Sequence, residues 1–255
     1  MDIQTSKEHG VLTIEFNRPE KKNAITSAMY QLMADALRDA EGDSAVRAIL
    51  IAGKPEVFTA GNDLEDFMKH SSAPVGDRPV AQFMRHLSGA TKPVVAAVAG
   101  NAVGIGTTLL MHCDLVYAAD NAKFSMPFTQ LGLCPEFASS LLFPAMVGYQ
   151  RAAEKLLLGE AFLADEALEM GLVSRVLPVD DLLPFARGQA AKLAALPASS
   201  LRVTKSLLKT AQAQAVQARM QEENRHFGEM LSAPEAKEAF TAFFEKRRPD
   251  FTKFA

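Results

Sequence analysis

Cysteine occurs only twice in the 255 residues, at Cys113 and Cys134, and never as CxxC. That pattern argues against a disulfide framework and suits reduced intracellular thiols. The five histidines are scattered, with no HExxH and no Cys/His cluster, so no metal site is expected. Basic residues are not in excess: the net charge is -3, which excludes a nucleic-acid surface as the main theme. The first residues, Met1-Asp2-Ile3-Gln4-Thr5, are polar and lack the apolar stretch of a signal peptide. The last, Lys253-Phe254-Ala255, are neither a peroxisomal tripeptide nor a prenylation box, so a cytoplasmic location is expected. Also missing are a GxSxG elbow, a Walker A loop, a GxGxxG fingerprint and a pair of acidic residues in the glycine-framed core.

One stretch imitates a membrane span. Pro93 to Cys113 carries no formal charge and matches the length of about 20 residues that crosses a bilayer. Gly100, Asn101, Gly104, Gly106, Thr107 and Thr108 interrupt it. It reads as a buried strand, a tight turn and a buried helix, and the protein is expected to stay out of the membrane.

What is present is an ordinary globular composition, 48% hydrophobic and 22% charged, on a chain long enough for one sizeable core. Val11–Phe16 reads as a strand, and Met29, Leu32, Met33, Ala36, Leu37 and Ala40 recur at helical spacing over 27–41. Val46–Ala52 and Val94–Ala99 are continuous apolar runs, read as strands buried on both faces. A helix is expected over 80–88 after a surface loop carrying Ser71, Ser72, Pro74 and Gly76, and short strands over 115–118 and 123–125. This alternation predicts an α/β fold with partly parallel sheet. Beyond Pro178 the pattern is helical, over 180–196, 199–230 and 234–247. The organisation is therefore a core domain over 1–195 and a helical region over 196–255.

Three segments carry chemical potential. In Phe58-Thr59-Ala60-Gly61-Asn62-Asp63-Leu64, Gly61 lets the backbone turn so that following N–H groups can face a ligand. An ordinary loop with Asp63 near a helix start fits the same residues. Gly100 to Thr108 joins a buried strand to a helix and offers free N–H groups to an anion or developing oxyanion. Small residues that only permit close packing fit it as well. Glu136, between Pro135 and Phe137, is the sole charge between Lys123 and Arg151. Apolar surroundings would raise its pKa toward that of a general base. A carboxylate in a helix's first turn is the competing reading.

In order and spacing, these segments resemble the enoyl-CoA hydratase/isomerase (crotonase) family over almost the whole chain. Asn17-Arg18-Pro19-Glu20-Lys21-Lys22-Asn23-Ala24-Ile25 is similar to its acyl-CoA-binding turn. Phe58–Leu64 and Lys92–Asp114 are similar to its two oxyanion loops. Gly171-Leu172-Val173 and the stretch from Phe244 to Phe251 match later landmarks. The resemblance implies a spiral of ββα units with a helical C-terminal region for trimerisation or as a lid, and trimers or dimers of trimers. It implies no cofactor beyond the coenzyme A of the substrate thioester. The backbone amides of Asn62 and Ile105 would hold the thioester carbonyl. Lys22, Ala24, Ala60, Gly61, Asp63, Leu64, Gly104, Gly106, Pro135 and Lys246 would frame the substrate, with Lys21, Arg247 and Arg248 as further phosphate candidates.

Where hydratases of this family hold water between two glutamates, this sequence has Thr108 and Phe128. Glu136 falls where the Δ3,Δ2-enoyl-CoA isomerase branch, in its peroxisomal type, places its acid/base. The resemblance thus implies a double-bond isomerase. Hydration, another crotonase-type reaction such as ring-opening isomerisation, and non-catalytic acyl-CoA binding are the alternatives.

Overall fold

The computed structural model describes residues 1–69 and 78–254. The surface loop expected around Ser71, Ser72, Pro74 and Gly76 lies outside the described residues. The chain begins with strands β1 (Ile3–Glu8) and β2 (Val11–Phe16), paired antiparallel across a tight turn in which His9 and Gly10 both have positive φ. Helix α1 (Ser27–Gly42) follows, its first turn capped by the Thr26 hydroxyl, which accepts from Met29 N. Then come β3 (Ala48–Ala52), β4 (Val57–Thr59), α2 (Leu64–Lys69), α3 (Pro79–Ser88), β5 (Val94–Val98), β6 (Asn101–Val103) and α4 (Ile105–Thr108). After β7 (Leu115–Ala119) and β8 (Lys123–Ser125) the chain turns to α5 (Ser139–Val147), α6 (Tyr149–Leu158), β9 (Phe162–Leu163), α7 (Ala164–Glu169) and β10 (Arg175–Leu177). It ends in α8 (Val179–Ala195), α9 (Ala198–Leu231) and α10 (Pro234–Phe244).

A six-stranded sheet runs β1-β2-β3-β5-β7-β10 and is parallel except for the first pair. A four-stranded sheet runs β4-β6-β8-β9, with β4, β6 and β8 parallel. The pairs β3 and β4, β5 and β6, and β7 and β8 each give one strand to either sheet, so the backbone advances as a coil of ββα units. Successive residues of a strand face opposite ways, and both faces of the larger sheet are covered. Ile49, Ile51, Val94 and Ala96 point into the core between the sheets, whereas Leu50, Val95 and Ala97 pack under Leu182, Ala186 and Ala190 of α8. That double burial is why β3 and β5 read as unbroken apolar runs.

Several sequence expectations shift. On α1 the core face uses Tyr30 and Ala34, while Leu32 is exposed. The glycine-rich segment is not one turn: β6 sits within it, and α4 is a single turn continued by a 3-10 helix over Leu109–His112. The last helix stops at Phe244 rather than at Arg247. No helix among the described residues is long and apolar enough to cross a membrane.

Candidate active site

Three successive parallel strands of the smaller sheet release the chain at the same edge, since parallel strands end on the same side. The segment 60–63 follows β4, Gly104 and Ile105 follow β6, and the loop leading to Glu136 follows β8. Carboxyl ends of parallel strands are where α/β sheets gather ligands.

The first two segments lock together through glycines. A Cβ on Gly61 would lie 2.8 Å from the Val103 carbonyl oxygen, and one on Gly106 would lie 2.5 Å from Thr59 Cγ2. Gly61 also has φ +84 and Gly104 φ +57 with ψ -118, backbone that side chains seldom tolerate. Among the described residues, the N–H groups of Asn62 and Ile105 donate no hydrogen bond.

The N-terminal turn is stitched onto this arrangement. Ala60 N donates to Lys22 O, Ile25 N to Gly61 O and Asp63 N to Ile25 O, at 2.8–3.0 Å. Asn23, fully buried and at φ +53, donates to both Val57 O and Phe58 O and accepts from Arg18 N. The structure thus brings Lys22, Ala24, Ala60, Gly61 and Asn62 together. Leu64 opens α2 and packs against the core.

Asp63 is occupied: its carboxylate accepts from Arg18 at 2.8 Å and from Asp66 N at 3.1 Å, capping α2. Burial works to raise this carboxyl, but the Arg18 and backbone bonds override it and leave it below its ordinary range. Asp63 holds the turn closed with its charge already matched. Lys246 is exposed just beyond α10, with no hydrogen bond or ion pair to these loops among the described residues. Arg247 is spent on Glu238 and Glu245, which leaves its guanidinium committed within the tail.

Glu136 is only 5% exposed and sits three residues before α5, not in a helix's first turn. Its Oε1 accepts from the Thr108 hydroxyl, and its Oε2 has no partner among the described residues. Burial pushes its pKa up to about 8, with Thr108 pulling it down and the Glu223 carboxylate adding to the rise. Around it opens a cavity with Asn62 on the wall; Val80, Ala81 and Met84 come from α3 and Asn224, Phe227 and Gly228 from α9. Arg78, just before α3, completes the described lining, in which Glu136 is the only carboxylate. Pro135 is half-buried beside it.

Two residues near the cavity were invisible as site residues in the sequence. Tyr30, buried on α1, donates from its hydroxyl to Asn62 Oδ1 at 2.5 Å and so fixes that loop. Burial, then the Glu136 charge, holds the Tyr30 phenol well above its ordinary pKa. His112, buried, bonds through Nε2 to Phe137 O at 2.8 Å and stacks on the Phe137 ring, with centroids 3.9 Å apart. Burial drops its pKa to about 4, so it is neutral near pH 7. Thr108, marked only as the place of a missing glutamate, is the hydroxyl donor to Glu136. Phe128 is buried core.

Two interleaved sheets wound as one coil, with glycine-locked amide loops at the strand ends, define a crotonase-type fold. The family model for enoyl-CoA hydratase/isomerase matches residues 6–253. The chain belongs to this family of enzymes. It is 35% identical to a probable enoyl-CoA hydratase of Mycobacterium leprae over 95% of this chain and 94% of that one. It is 40% identical to enoyl-CoA delta isomerase 2 of Rattus norvegicus over 81% of this chain and 54% of the rat protein. A crystal structure of an enoyl-CoA hydratase/isomerase from Pseudoalteromonas atlantica matches with a TM-score of 0.94 at 41% identity, covering 99% of this chain and 100% of that chain.

Proposed function

We propose that the protein moves the double bond of a 3-enoyl-CoA into conjugation with the thioester, position 3 to position 2, using Glu136 as the one proton carrier. The observation that carries the reading is the lone Glu136 carboxylate, with Oε2 unpartnered in a cavity whose described lining holds no second carboxylate. Oε2 takes a proton from C2, the electrons shift through the former C3–C4 double bond, and the same oxygen returns the proton at C4. One base facing both carbons suffices for this. Adding water requires a second group to orient and deprotonate it, and the corresponding positions hold Thr108 and Phe128.

In this reading the thioester carbonyl lies between the amides of Asn62 and Ile105, and the dienolate's negative charge develops on its oxygen. Each such donor is worth about 3–4 kcal/mol of barrier. A carboxyl with a pKa of about 8 is a strong enough base to take an activated C2 proton and a strong enough acid to give it back. Coenzyme A would rest on the turn at Lys22 and Ala24, against Ala60 and Gly61. The reading includes assembly of three copies through the helical tail, where α9 exposes Val203, Leu207 and Leu208.

The test is conversion of trans-3-hexenoyl-CoA to its conjugated isomer, followed by ultraviolet absorbance beside crotonyl-CoA hydration. Fast conversion, abolished in Glu136→Gln and unaccompanied by hydration, is expected. Undiminished conversion in Glu136→Gln would overturn the assignment. Efficient hydration without isomerisation would replace this reading with the hydratase, an activity named among its relatives.

A further inference from the structure

The backbone that aims Glu136 is under strain. Phe137 and Ala138 follow it at φ +60 and +57, left-handed values that neither side chain favours and that cost about 1–3 kcal/mol each. Two left-handed residues in a row persist only where surrounding groups hold them. His112 holds one side, through the Phe137 carbonyl and by stacking. The Ser139 N–H and hydroxyl hold the Glu136 carbonyl, at 3.1 and 2.6 Å.

The other side is held from far along the chain. Helix α5 starts after Ala138, which has no side chain to cap it, so its first N–H groups need an outside acceptor. Glu223 of α9 supplies that acceptor. Its Oε2 accepts from Ala138 N at 2.6 Å, and its Oε1 accepts from Ser140 N at 3.0 Å and from the Ser140 hydroxyl at 2.5 Å. Glu223 is 5% exposed, buried deeply for a carboxylate that has no close ion pair among the described residues. Arg219 acts on it through space, while the Arg219 guanidinium itself lies nearer Glu222 and the Ser140 hydroxyl.

A simple helix cap needs neither this burial nor this reach across the fold. Asn224, the next residue, and Phe227, one turn on, line the cavity. The same turn of α9 therefore forms the pocket wall and grips the backbone behind the acid/base.

We infer that Glu223 is a positioning residue for Glu136: its carboxylate, bonded to Ala138 and Ser140, holds the left-handed turn that aims Oε2 into the cavity. The inference rests on the reading of Glu136 as the proton carrier. Glu223 acts on Glu136 electrostatically as well, being one of the groups that raise its pKa. Among the described residues, the other charged or titratable groups near Glu136 and its turn include Tyr30 from α1, Arg78 ahead of α3, Cys134 on the same loop and His112, which is neutral near pH 7. None of these bonds to the turn's amides among the described residues.

The test compares wild type, Glu223→Gln and Glu223→Ala by two readouts. The Gln variant keeps size and one acceptor but cannot accept at both oxygens, so it folds more readily than Ala. In steady-state turnover of trans-3-hexenoyl-CoA, kcat should fall about tenfold to a hundredfold, while KM stays within about twofold. By ¹³C NMR of protein labelled at the glutamate δ-carbon, the Glu136 signal is assigned from its loss in Glu136→Gln. Its titration midpoint should move down in Glu223→Gln, because a nearby negative charge is gone. A lower melting temperature with unchanged kcat and an unchanged midpoint would make Glu223 a structural cap only and would overturn the inference. Should Glu136→Gln itself stay active, the reading of Glu136 falls and the inference with it, an outcome distinct from an active Glu223→Gln beside an inactive Glu136→Gln, which overturns the inference alone.

Discussion

The Thr108 hydroxyl donates to Glu136 Oε1, so one oxygen of the buried carboxylate is anchored while the other is unpartnered among the described residues. This bond favours the ionised form and opposes the burial that raises the Glu136 pKa. Replacing Thr108 with Val keeps the shape and removes the donor. The acid limb of the pH–rate profile should then move to higher pH, and each unit of rise costs about tenfold in the ionised fraction near neutrality. An unmoved limb would show that this hydroxyl does not tune the base.

Activity and stability should respond to pH in opposite directions. With Glu136 as the proposed base, only its ionised form takes the proton, so kcat/KM should climb with pH through a midpoint at about 8. For stability, the folded carboxyl at about 8 holds its proton more tightly than the unfolded one at 4.5. Between those values the folded state carries the extra proton, so the contribution of Glu136 to stability is lost as pH rises and is flat above the upper one. Glu136→Gln escapes this loss. Its advantage in denaturant unfolding should widen from about pH 5 to about pH 8, reaching the order of a few kcal/mol.

Gly61→Ala tests the contact between the two loops. The added carbon would meet the Val103 carbonyl at 2.8 Å, on backbone already at positive φ, so the loops must part. Displaced amides should lower kcat by about tenfold to a hundredfold, with stability falling less steeply. Steady-state turnover and thermal melting on the same preparation measure both.

Asn23→Ala should instead be a stability variant. It strips two buried carbonyls and the Arg18 N–H of their partner, at a cost of about 2–3 kcal/mol. Urea unfolding reads that loss. Coenzyme A affinity should weaken with it, because the Lys22 turn loses the Asn23 side-chain ties to Val57 and Phe58 and keeps those made through its backbone.

The sequence displayed the central strands plainly because both faces of the larger sheet are covered, which forces unbroken apolar runs. Glu136 was also legible, as a lone charge in an apolar stretch that predicts burial and a raised pKa. Strand β1 was not: it is an edge strand with only Ile3 buried, so its residues Gln4 to Glu8 read as a polar terminus. Strands β4 and β6, three residues each, hid inside the glycine-containing segments that were read as loops. Tyr30 lay outside the apolar series read for α1, and nothing in its neighbours pointed to Asn62. Glu223 lies in Gln221-Glu222-Glu223-Asn224-Arg225, where a carboxylate reads as solvated helix surface. Its role depends on a contact across more than eighty residues, which local pattern does not encode.

The pairing of β4 with β6 has an evolutionary corollary. The two amides belong to consecutive coils, and their spacing is set by Val57 opposite Asn101 and Thr59 opposite Ala102, not by the chain that runs between. That intervening chain includes α3, which supplies Val80, Ala81 and Met84 to the cavity wall. Lengthening, shortening or rewriting the excursion at α3 would reshape that wall and leave the β4–β6 pairing untouched. A lineage built this way can vary its cavity through one excursion of the chain while inheriting the geometry of the paired strand ends.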